Sequence, residues 1–469
     1  MKQALLFILF LAASPCLSAA EQSLTYSRFG EVTLYYATAH PSHVVLFVSG
    51  DGGWNRGVVD MARELVSLDA LVVGVNINRF LKEMESSREA CSYPAADFEE
   101  LSKFVQQRLG FPVYRTPILV GYSSGATLVY ATLVQAPPDT FLGAISLGFC
   151  PDLLLAKPMC HGSGLEWTAG PKGKGYNFLP ARSLEVPWIA LQGTIDQVCD
   201  PKATGSFVEQ VPQGKVMILP KVGHGFSVPA NWMPQFKDAF LDLVASGRKQ
   251  EELTKPKPSV ISEAVSDLPL VEVPATGGAS NLMGVIVTGD GGWGVTDRGI
   301  AQGLAARGIP VVGLNSLKYF WSVKTPEQAA ADLERIIRHY SMLWNRNKVV
   351  AIGYSFGADV LPLMLNLMPN EVRSETGLIA LLGPSSTADF QFHWIDWFGH
   401  PKRSTSRPVL PELEKLKGKK ILCFYGTKDD DALCRELDPN LATVTAIQSG
   451  HRFGKDYQPI VDAILREAR

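Results

Sequence analysis

Two short segments of the sequence place a serine between two glycines in the pattern Gly-x-Ser-x-Gly. They are Gly121-Tyr122-Ser123-Ser124-Gly125 and Gly353-Tyr354-Ser355-Phe356-Gly357. In this pattern a strand turns sharply into a helix and exposes the serine hydroxyl, and larger side chains at the glycine positions would collide with the backbone. Each segment follows a short apolar run and precedes an apolar run of helical length, which is the context that the pattern needs. We therefore predict two nucleophiles for acyl transfer, against the alternative of a tight turn without catalysis.

A serine hydroxyl is a weak nucleophile and needs a base, commonly a histidine that a carboxylate orients. When the serine lies on such a turn, the chain order is serine, acid, histidine. The sequence offers two sets in this order, and in each set the aspartate and the histidine lie in loops that follow apolar runs. The predicted catalytic residues are Ser123, Asp196 and His224 in the first set, and Ser355, Asp429 and His451 in the second.

The acid of the second set lies among three consecutive aspartates, two of which are candidates. Alignment of the two sets on the pattern Gly-Thr-x-Asp selects Asp429, whereas alignment backward from Cys199 and Cys434 selects Asp431. We favour Asp429, because an insertion is accommodated more easily after a catalytic turn than within it.

The negative charge that develops on the substrate oxygen needs backbone donors. One donor is expected from the residue after the nucleophile, and the other from a glycine-rich loop after an early strand. The loops with this character are Gly50-Asp51-Gly52-Gly53 and Gly289-Asp290-Gly291-Gly292, where glycines let the backbone approach a ligand closely. The predicted oxyanion and substrate-binding residues are Asp51, Gly52 and Ser124 in the first set, and Asp290, Gly291, Phe356 and Asp359 in the second.

The aspartates in this group are unexpected, because a carboxylate beside an oxyanion opposes the developing charge. Asp51 and Asp290 are therefore either turn-forming residues that point away, which we favour, or partners for a cationic substrate group. Asp359 lies one helical turn after Ser355, where the first set has Thr127, and it poses the same question. The glycine-rich loops lack the Lys-Ser/Thr that follows a phosphate-binding loop, and we expect no metal and no cofactor.

The chain repeats itself over a long period. Five segments recur in the same order, which indicates a duplicated domain rather than a solenoid. The recurring segments are 48–54 and 287–293, 72–76 and 311–315, 121–126 and 353–358, 193–196 and 426–429, and 223–224 and 450–451. Within each copy, short apolar runs alternate with stretches of helical periodicity, which predicts a mostly parallel sheet with helices on both faces.

These observations predict an α/β protein made of two tandem α/β-hydrolase domains. The predicted strands are 44–49, 70–75, 117–120, 188–192 and 216–219 in the first copy, and 285–288, 311–314, 349–352, 421–425 and 443–447 in the second. Predicted domain bounds are 21–245 and 269–469, joined by a polar linker over 246–268 that is expected to be extended and semi-rigid because it carries Lys255-Pro256-Lys257-Pro258.

The bulk composition is that of a globular protein with an export signal. The chain has 469 residues and a formal net charge of −2, so there is no electrostatic case for binding nucleic acid. Residues 1–20 have a positively charged start, an apolar run and a small-residue cleavage site, which predicts a cleaved signal peptide. Six cysteines remain after cleavage; we expect Cys423 to pair with Cys434, and the other four allow three connectivities.

The second half resembles the VirJ family of periplasmic proteins, and the arrangement of the two copies resembles the AcvB proteins. The resemblance rests on 288–293, Lys318-Tyr319-Phe320-Trp321, 353–359 and the loop between Cys423 and Cys434. It implies a periplasmic hydrolase that releases lysine or alanine from aminoacyl-phosphatidylglycerol, a membrane phospholipid, with Ser355 as nucleophile and His451 as base.

Members of this family are also linked to type IV secretion and virulence. The resemblance therefore also implies a rival function, a periplasmic adaptor that contacts secretion-system proteins, and a general esterase or peptidase is a further alternative. Two complete sets of predicted catalytic residues count against a pure adaptor. The first copy departs from the family pattern at Ser124 and Thr127, which leaves its substrate open.

Overall fold

The computed structural model describes residues 20–254, 264–278, 280–390, 406–429, 431–454 and 456–468, without the side chains of 56 and 248–254. These residues form two domains, each built on one large sheet with helices on both faces. The predicted signal peptide lies outside the described residues except for Ala20, where the first strand begins.

The N-terminal domain contains an eight-stranded sheet with the order β1-β2-β4-β3-β5-β6-β10-β11. Its strands are β1 (Ala20–Tyr26), β2 (Gly30–Tyr36), β3 (His43–Val48), β4 (Ala70–Val75), β5 (Ile118–Tyr122), β6 (Gly143–Leu147), β10 (Trp188–Gly193) and β11 (Gly214–Leu219). A small antiparallel sheet between β6 and β10 contains β7 (Asp152–Leu153), β8 (Trp167–Ala169) and β9 (Tyr176–Phe178). The pairs β1–β2 and β2–β4 are antiparallel, and the other pairs of the large sheet are parallel.

Six α-helices belong to the described part of this domain. They are α1 (Arg56–Val66), α2 (Ile77–Glu85), α3 (Pro94–Arg108), α4 (Ser124–Gln135), α5 (Pro201–Val208) and α6 (Met233–Thr254). Apolar side chains of α3 and α4 pack on one face of the sheet, and those of α1 and α6 pack on the other. Both faces are thereby covered, which is why strands such as β3 and β4 are almost wholly apolar and buried.

The C-terminal domain contains a seven-stranded sheet with the order β12-β14-β13-β15-β16-β19-β20. Its strands are β12 (Leu270–Val273), β13 (Leu282–Val287), β14 (Val311–Leu314), β15 (Lys348–Tyr354), β16 (Thr376–Leu382), β19 (Lys420–Gly426) and β20 (Thr443–Ile447), and β17 (Thr387–Ala388) pairs separately with β18 (Arg407–Pro408). Its α-helices are α7 (Val295–Ala305), α8 (Ser316–Tyr319), α9 (Pro326–Trp344), α10 (Phe356–Leu367), α11 (Asn370–Glu375), α12 (Leu410–Glu414) and α13 (Gln458–Glu467).

The two sheets share one topology. If β1 is set aside, the order β2-β4-β3-β5-β6-β10-β11 corresponds strand for strand to the order of the C-terminal sheet. In both sheets the first strand of this order is antiparallel and the others are parallel. Because the carboxyl ends of parallel strands meet at one edge, both sets of predicted catalytic loops lie at the corresponding edge of their sheet.

The segment between the domains differs from the predicted extended linker. Helix α6 continues to Thr254, so the first part of the 246–268 segment is helical. After Pro234 in its first turn, the helix meets no further proline before Pro256. The residue before a proline disfavours helical geometry, so the helix can continue up to that point. At the other end of the segment, Val265 is buried in the C-terminal core and the carboxylate of Asp267 accepts from Arg335 at 2.6 Å. Residues 255–263 lie outside the described part of the chain.

Three disulfides link all six cysteines of the described chain. Cys423 is bonded to Cys434, as predicted. The pairing that the sequence left open is Cys91–Cys160 and Cys150–Cys199. None of the described helices combines the length and apolar character needed to cross a membrane.

Candidate active site

Each predicted nucleophile lies on a strained turn between a strand and a helix. Ser123 connects β5 to α4 with φ 56° and ψ −124°, and Ser355 connects β15 to α10 with φ 51° and ψ −121°. Non-glycine residues rarely adopt a positive φ, and such strain is concentrated at functional sites. The two turns therefore have the geometry that the Gly-x-Ser-x-Gly pattern predicts.

The glycines of the pattern are required by close backbone contacts. A Cβ atom on Gly121 would lie 2.1 Å from the carbonyl oxygen of Gly125, and one on Gly353 would lie 2.6 Å from that of Gly357. A Cβ atom on Gly357 would in turn lie 2.0 Å from the carbonyl oxygen of Val287. The helix that follows the serine thus packs directly on the neighbouring strand.

The first predicted set forms a complete hydrogen-bonded triad. The Ser123 hydroxyl lies 2.9 Å from Nε2 of His224, and Nδ1 of His224 lies 2.9 Å from a carboxylate oxygen of Asp196. The other carboxylate oxygen of Asp196 accepts from the amides of Val198 and Cys199. Burial alone would raise the pKa of Asp196, but the hydrogen bonds from Cys199, His224 and Val198 outweigh it and lower this pKa. The acid is therefore held ionised beside the base.

The second predicted set forms the same triad. The Ser355 hydroxyl lies 2.8 Å from Nε2 of His451, and Nδ1 of His451 lies 2.6 Å from Oδ2 of Asp429. Asp431, the alternative acid, is exposed after the turn. Between the two candidates, the geometry selects Asp429.

The two triads differ in how open they are. The His224 side chain is 17% exposed and that of Asp196 is 0% exposed, whereas the His451 side chain is 42% exposed and that of Asp429 is 15% exposed. The Ser355 triad is thus more accessible to a bulky substrate than the Ser123 triad.

The predicted oxyanion loops lie against the nucleophiles. A Cβ atom on Gly50 would lie 3.0 Å from Cβ of Ser123, and one on Gly289 would lie 3.5 Å from Cβ of Ser355. Each loop is a tight turn, because the Gly53 amide donates to the Gly50 carbonyl and the second copy repeats this bond. Asp51-Gly52 and Asp290-Gly291 are the central pairs of these turns, with both glycines exposed.

A tryptophan anchors each loop to the next strand. A Cβ atom on Gly74 would lie 2.2 Å from the Trp54 ring, and one on Gly313 would lie 2.0 Å from the Trp293 ring. In each copy, the tryptophan of the recurring Gly-Gly-Trp segment therefore packs on the glycine of the recurring Val-Gly segment. The remaining predicted donors, Ser124 and Phe356, are the first residues of α4 and α10, where backbone N–H groups have no partner within the helix.

The aspartates near the nucleophiles have different surroundings. Asp51 is exposed, as a turn-forming residue can be, whereas Asp290 is half-buried. Asp359 is buried, and its carboxylate accepts from the Ser385 amide at 2.6 Å. Burial raises the pKa of Asp359 well above its usual range despite the Ser385 bonds, and the charges of Asp290 and Asp389 raise it further. Two carboxyl groups thus lie beside Ser355, whereas the first copy has Thr127 in place of Asp359, and the Thr127 hydroxyl donates to the Cys150 carbonyl.

This raised pKa predicts a pH-dependent difference in stability between wild type and Asp359→Asn. Native Asp359 retains a proton that the unfolded chain releases above about pH 4, so its stabilising contribution is present below that pH and is lost as the pH rises through the native pKa. Asparagine does not titrate. We expect the free energy of unfolding of the variant, relative to wild type, to increase between pH 5 and pH 9 in urea titrations. A constant difference across this range would contradict the prediction.

Two other features of the described chain are not candidate active sites. Asp196, Cys199 and His224 bring possible metal-ligand atoms within 4.8 Å of one another, but the Cys199 sulfur is in the disulfide with Cys150 and the other two residues serve the triad. A pocket of about 450 Å³ is lined by residues such as Lys348 and Lys420. These residues begin their strands, so the pocket lies at the edge of the sheet opposite the triad.

Several residues that support the triads were not predicted from the sequence. Gln192 donates to Asp196 at 3.1 Å, and the Tyr122 hydroxyl donates to the His224 carbonyl at 3.0 Å. Arg435 donates to the Asp429 carbonyl and lies 4.6 Å from the centre of the Tyr425 ring. The only available signal was position, because Tyr122 precedes the nucleophile and Gln192 ends a predicted strand.

Together, the sheet topology, the strained serine turns and the hydrogen-bonded triads define an α/β hydrolase. The family described as bacterial virulence protein (VirJ) has a model that matches residues 42–141 and 281–469. Because the match extends over more than half of the chain, the protein belongs to the VirJ family. The first matched region includes Ser123 but ends before Asp196 and His224, and both matched regions include a serine turn.

Comparisons with other known proteins add these findings. No curated protein matches the sequence significantly. An esterase domain of a Rhodothermus marinus protein is 14% identical, with 49% of this chain and 96% of that chain covered and a TM-score of 0.32. A Xanthomonas campestris α/β serine hydrolase without a lid is 19% identical, with 50% of this chain and 94% of that chain covered and a TM-score of 0.30. A Coxiella burnetii α/β serine hydrolase homologue is 15% identical, with 50% of this chain and 99% of that chain covered and a TM-score of 0.31.

Proposed function

We propose that this protein is a periplasmic serine ester hydrolase whose Ser355 site releases the amino acid from aminoacyl-phosphatidylglycerol. The observation that carries the proposal is the triad itself, with Ser355, His451 and Asp429 joined by hydrogen bonds of 2.8 and 2.6 Å. An aminoacyl lipid is a carboxylic ester, which is the bond that such a triad cleaves.

The residues act in the usual two stages of acyl transfer. Ser355 Oγ attacks the ester carbonyl carbon while His451 Nε2 takes its proton, and the amide of Phe356 donates to the oxyanion. The glycerol oxygen of the lipid leaves with the proton from His451, and the aminoacyl group stays on Ser355. Water then attacks this second ester with His451 as base, so that one water is consumed and phosphatidylglycerol and free amino acid are released. Asp429 keeps Nδ1 of His451 protonated and orients the ring.

The charge beside Ser355 supports a cationic acyl group. Asp290 and Asp359 lie near the nucleophile, and their mutual repulsion is among the causes that raise the pKa of Asp359. The α-ammonium of an aminoacyl ester would lower the pKa of Asp359 and favour its ionised form, and it would pair with both carboxylates. At the Ser123 site, Thr127 replaces Asp359, so the same preference is not proposed there.

The proposed periplasmic location is supported by the cysteines. All six cysteines of the described chain are in disulfides, and disulfides persist in oxidising compartments such as the bacterial periplasm. Residues 1–20 have the composition of a secretory signal.

The direct test is amino-acid release from lysyl- and alanyl-phosphatidylglycerol vesicles by the purified mature protein. We expect Ser355→Ala to lower release at least about 1,000-fold and Ser123→Ala to leave most of it. Equal release by both variants and wild type would rule out this substrate assignment. If Ser355→Ala instead supports type IV secretion as well as wild type does, the adaptor function would replace the enzymatic one.

A second prediction concerns substrate charge. Asp290→Asn should lower kcat/KM for lysyl-phosphatidylglycerol about 10-fold, because a half-buried carboxylate near an ammonium contributes on the order of 1–2 kcal/mol. Turnover of p-nitrophenyl acetate, which is neutral, should change less than twofold. Asp51→Asn is the matched control, because it changes the corresponding turn of the other domain. Equal losses for both substrates would show that Asp290 serves only the turn.

A further inference from the structure

The N-terminal domain contacts the C-terminal domain beside the Ser355 site. The indole N–H of Trp321 donates to the Phe111 carbonyl at 2.8 Å, and the Trp321 and Tyr114 rings lie 5.1 Å apart. All three residues are buried. Phe111 and Tyr114 belong to the loop that follows α3 of the N-terminal domain, so this contact crosses the domain boundary.

Trp321 is connected to the residue that follows the nucleophile. Its neighbour Phe320 is fully buried and lies edge-on to the Phe356 ring, with 4.9 Å between ring centres. The Phe356 amide is the predicted oxyanion donor. A displacement of the Trp321 segment would therefore move the packing that sets the orientation of this amide.

The helix that precedes the same loop reaches two other parts of the site. The Arg452 guanidinium, next to His451, lies 5.7 Å from the centre of the Tyr93 ring, and it donates to the Tyr93 hydroxyl at 3.4 Å. Glu100 on α3 is close enough to Asp290 for their charges to repel each other. The Tyr93 hydroxyl donates to the Gln135 carbonyl at 3.3 Å, and Cys91, two residues earlier, is bonded to Cys160.

We propose that the N-terminal domain is a positioning element of the Ser355 site, acting mainly through the contact of Phe111 and Tyr114 with Trp321. This inference deepens the proposed function, since it concerns the same nucleophile, but it does not depend on the lipid substrate. It assigns the N-terminal domain a role in the second site that is separate from any turnover at Ser123. Trp321 is a positioning residue, because it acts on Phe356 through Phe320.

The test uses the full chain with Ser123→Ala, so that turnover of p-nitrophenyl acetate reports on Ser355 alone. We expect Trp321→Phe, which keeps an aromatic ring but loses the N–H donor, to lower kcat about 5-fold, because it removes the hydrogen bond to Phe111. Tyr114→Ala should lower kcat about 10-fold, because it removes the ring that contacts Trp321. KM should stay within twofold. Combining the two changes should give less than the product of their effects, because both act on one contact.

Tyr114→Phe is the matched control. This change keeps the ring that contacts Trp321 and removes only the buried hydroxyl, whose neighbour is Ser102 of the same domain, so kcat should be unchanged. A fluorophosphonate probe supplies an independent readout in proteins that retain Ser123. The Trp321→Phe and Tyr114→Ala variants should be labelled at Ser355 more slowly than wild type, and at Ser123 at the wild-type rate. Slower labelling at both serines would instead indicate general unfolding.

The outcomes separate this inference from the proposed function. Unchanged kcat and labelling at Ser355 in folded Trp321→Phe and Tyr114→Ala proteins would overturn the positioning role. Normal p-nitrophenyl acetate turnover without hydrolysis of the aminoacyl lipid would overturn only the proposed substrate. A Ser355 that reacts with neither the ester nor the probe in the wild type would overturn both.

Discussion

Replacing Asp429 with asparagine should lower kcat at the Ser355 site about 10,000-fold. Asp429 accepts from Nδ1 of His451 at 2.6 Å, which keeps the proton on Nδ1 and leaves Nε2 free to take the Ser355 proton. An asparagine amide can donate to Nδ1 and so favours the wrong tautomer. The loss should be in kcat rather than KM, and it is measured with p-nitrophenyl acetate in the Ser123→Ala background.

The chain supplies the matched control two residues further on. Asp431 is exposed and lies in the same acidic turn, so Asp431→Asn removes the same charge without touching His451. We expect its kcat to stay within about twofold, as surface charge changes usually do. A comparable loss in both variants would mean that the charge of the turn matters and that the hydrogen bond of Asp429 does not.

Replacing Gly357 with alanine should destabilise the C-terminal domain by about 5 kcal/mol or more. The added Cβ atom would lie 2.0 Å from the Val287 carbonyl oxygen and 2.6 Å from that of Thr288. Both contacts are with backbone, so neither can be relieved by a side-chain rotation, and α10 would have to move away from β13. The measurement is the urea midpoint of the C-terminal domain, together with fluorophosphonate labelling of Ser355.

Gly377→Ala is the control for this change. Gly377 lies in β16 of the same sheet, and an added Cβ atom there would meet nothing within 4 Å. This variant should be as stable as wild type or slightly more stable, since alanine has less conformational freedom in the unfolded chain. If Gly357→Ala labels at Ser355 and unfolds as the Gly377→Ala protein does, the close packing of α10 on β13 would be contradicted.

The triads could be predicted because their signals are local and occur twice. The serine turns are defined by five adjacent residues, and the Gly-Thr-x-Asp and Gly-His segments each follow a predicted strand. The choice of Asp429 also followed from the repeat. By contrast, β6 and β16 were missed because a short apolar run cannot be told from part of a buried helix by periodicity alone.

Contacts between distant segments could not be predicted. The bond from the Ser385 amide to Asp359 joins residues 26 positions apart, and the bond from Trp321 to Phe111 joins residues 210 positions apart. Trp321 was recognised only as part of a family pattern, and nothing in its neighbourhood indicates a partner in the other domain. The helical start of the 246–268 segment was not predicted for a different reason: the polar composition that begins at Ser246 indicated an extended segment, although an exposed helix can be polar as well.

The disulfides next to the triad acids have a consequence for when the protein can act. Cys199 lies three residues after Asp196 and is bonded to Cys150, while Cys423 and Cys434 close a ring around Asp429. In a reducing compartment these bonds would be open, and both acid loops would lose the crosslink that fixes them. The turnover of both serines would then depend on the redox state of the surroundings, because each acid loop is crosslinked within a few residues of its aspartate.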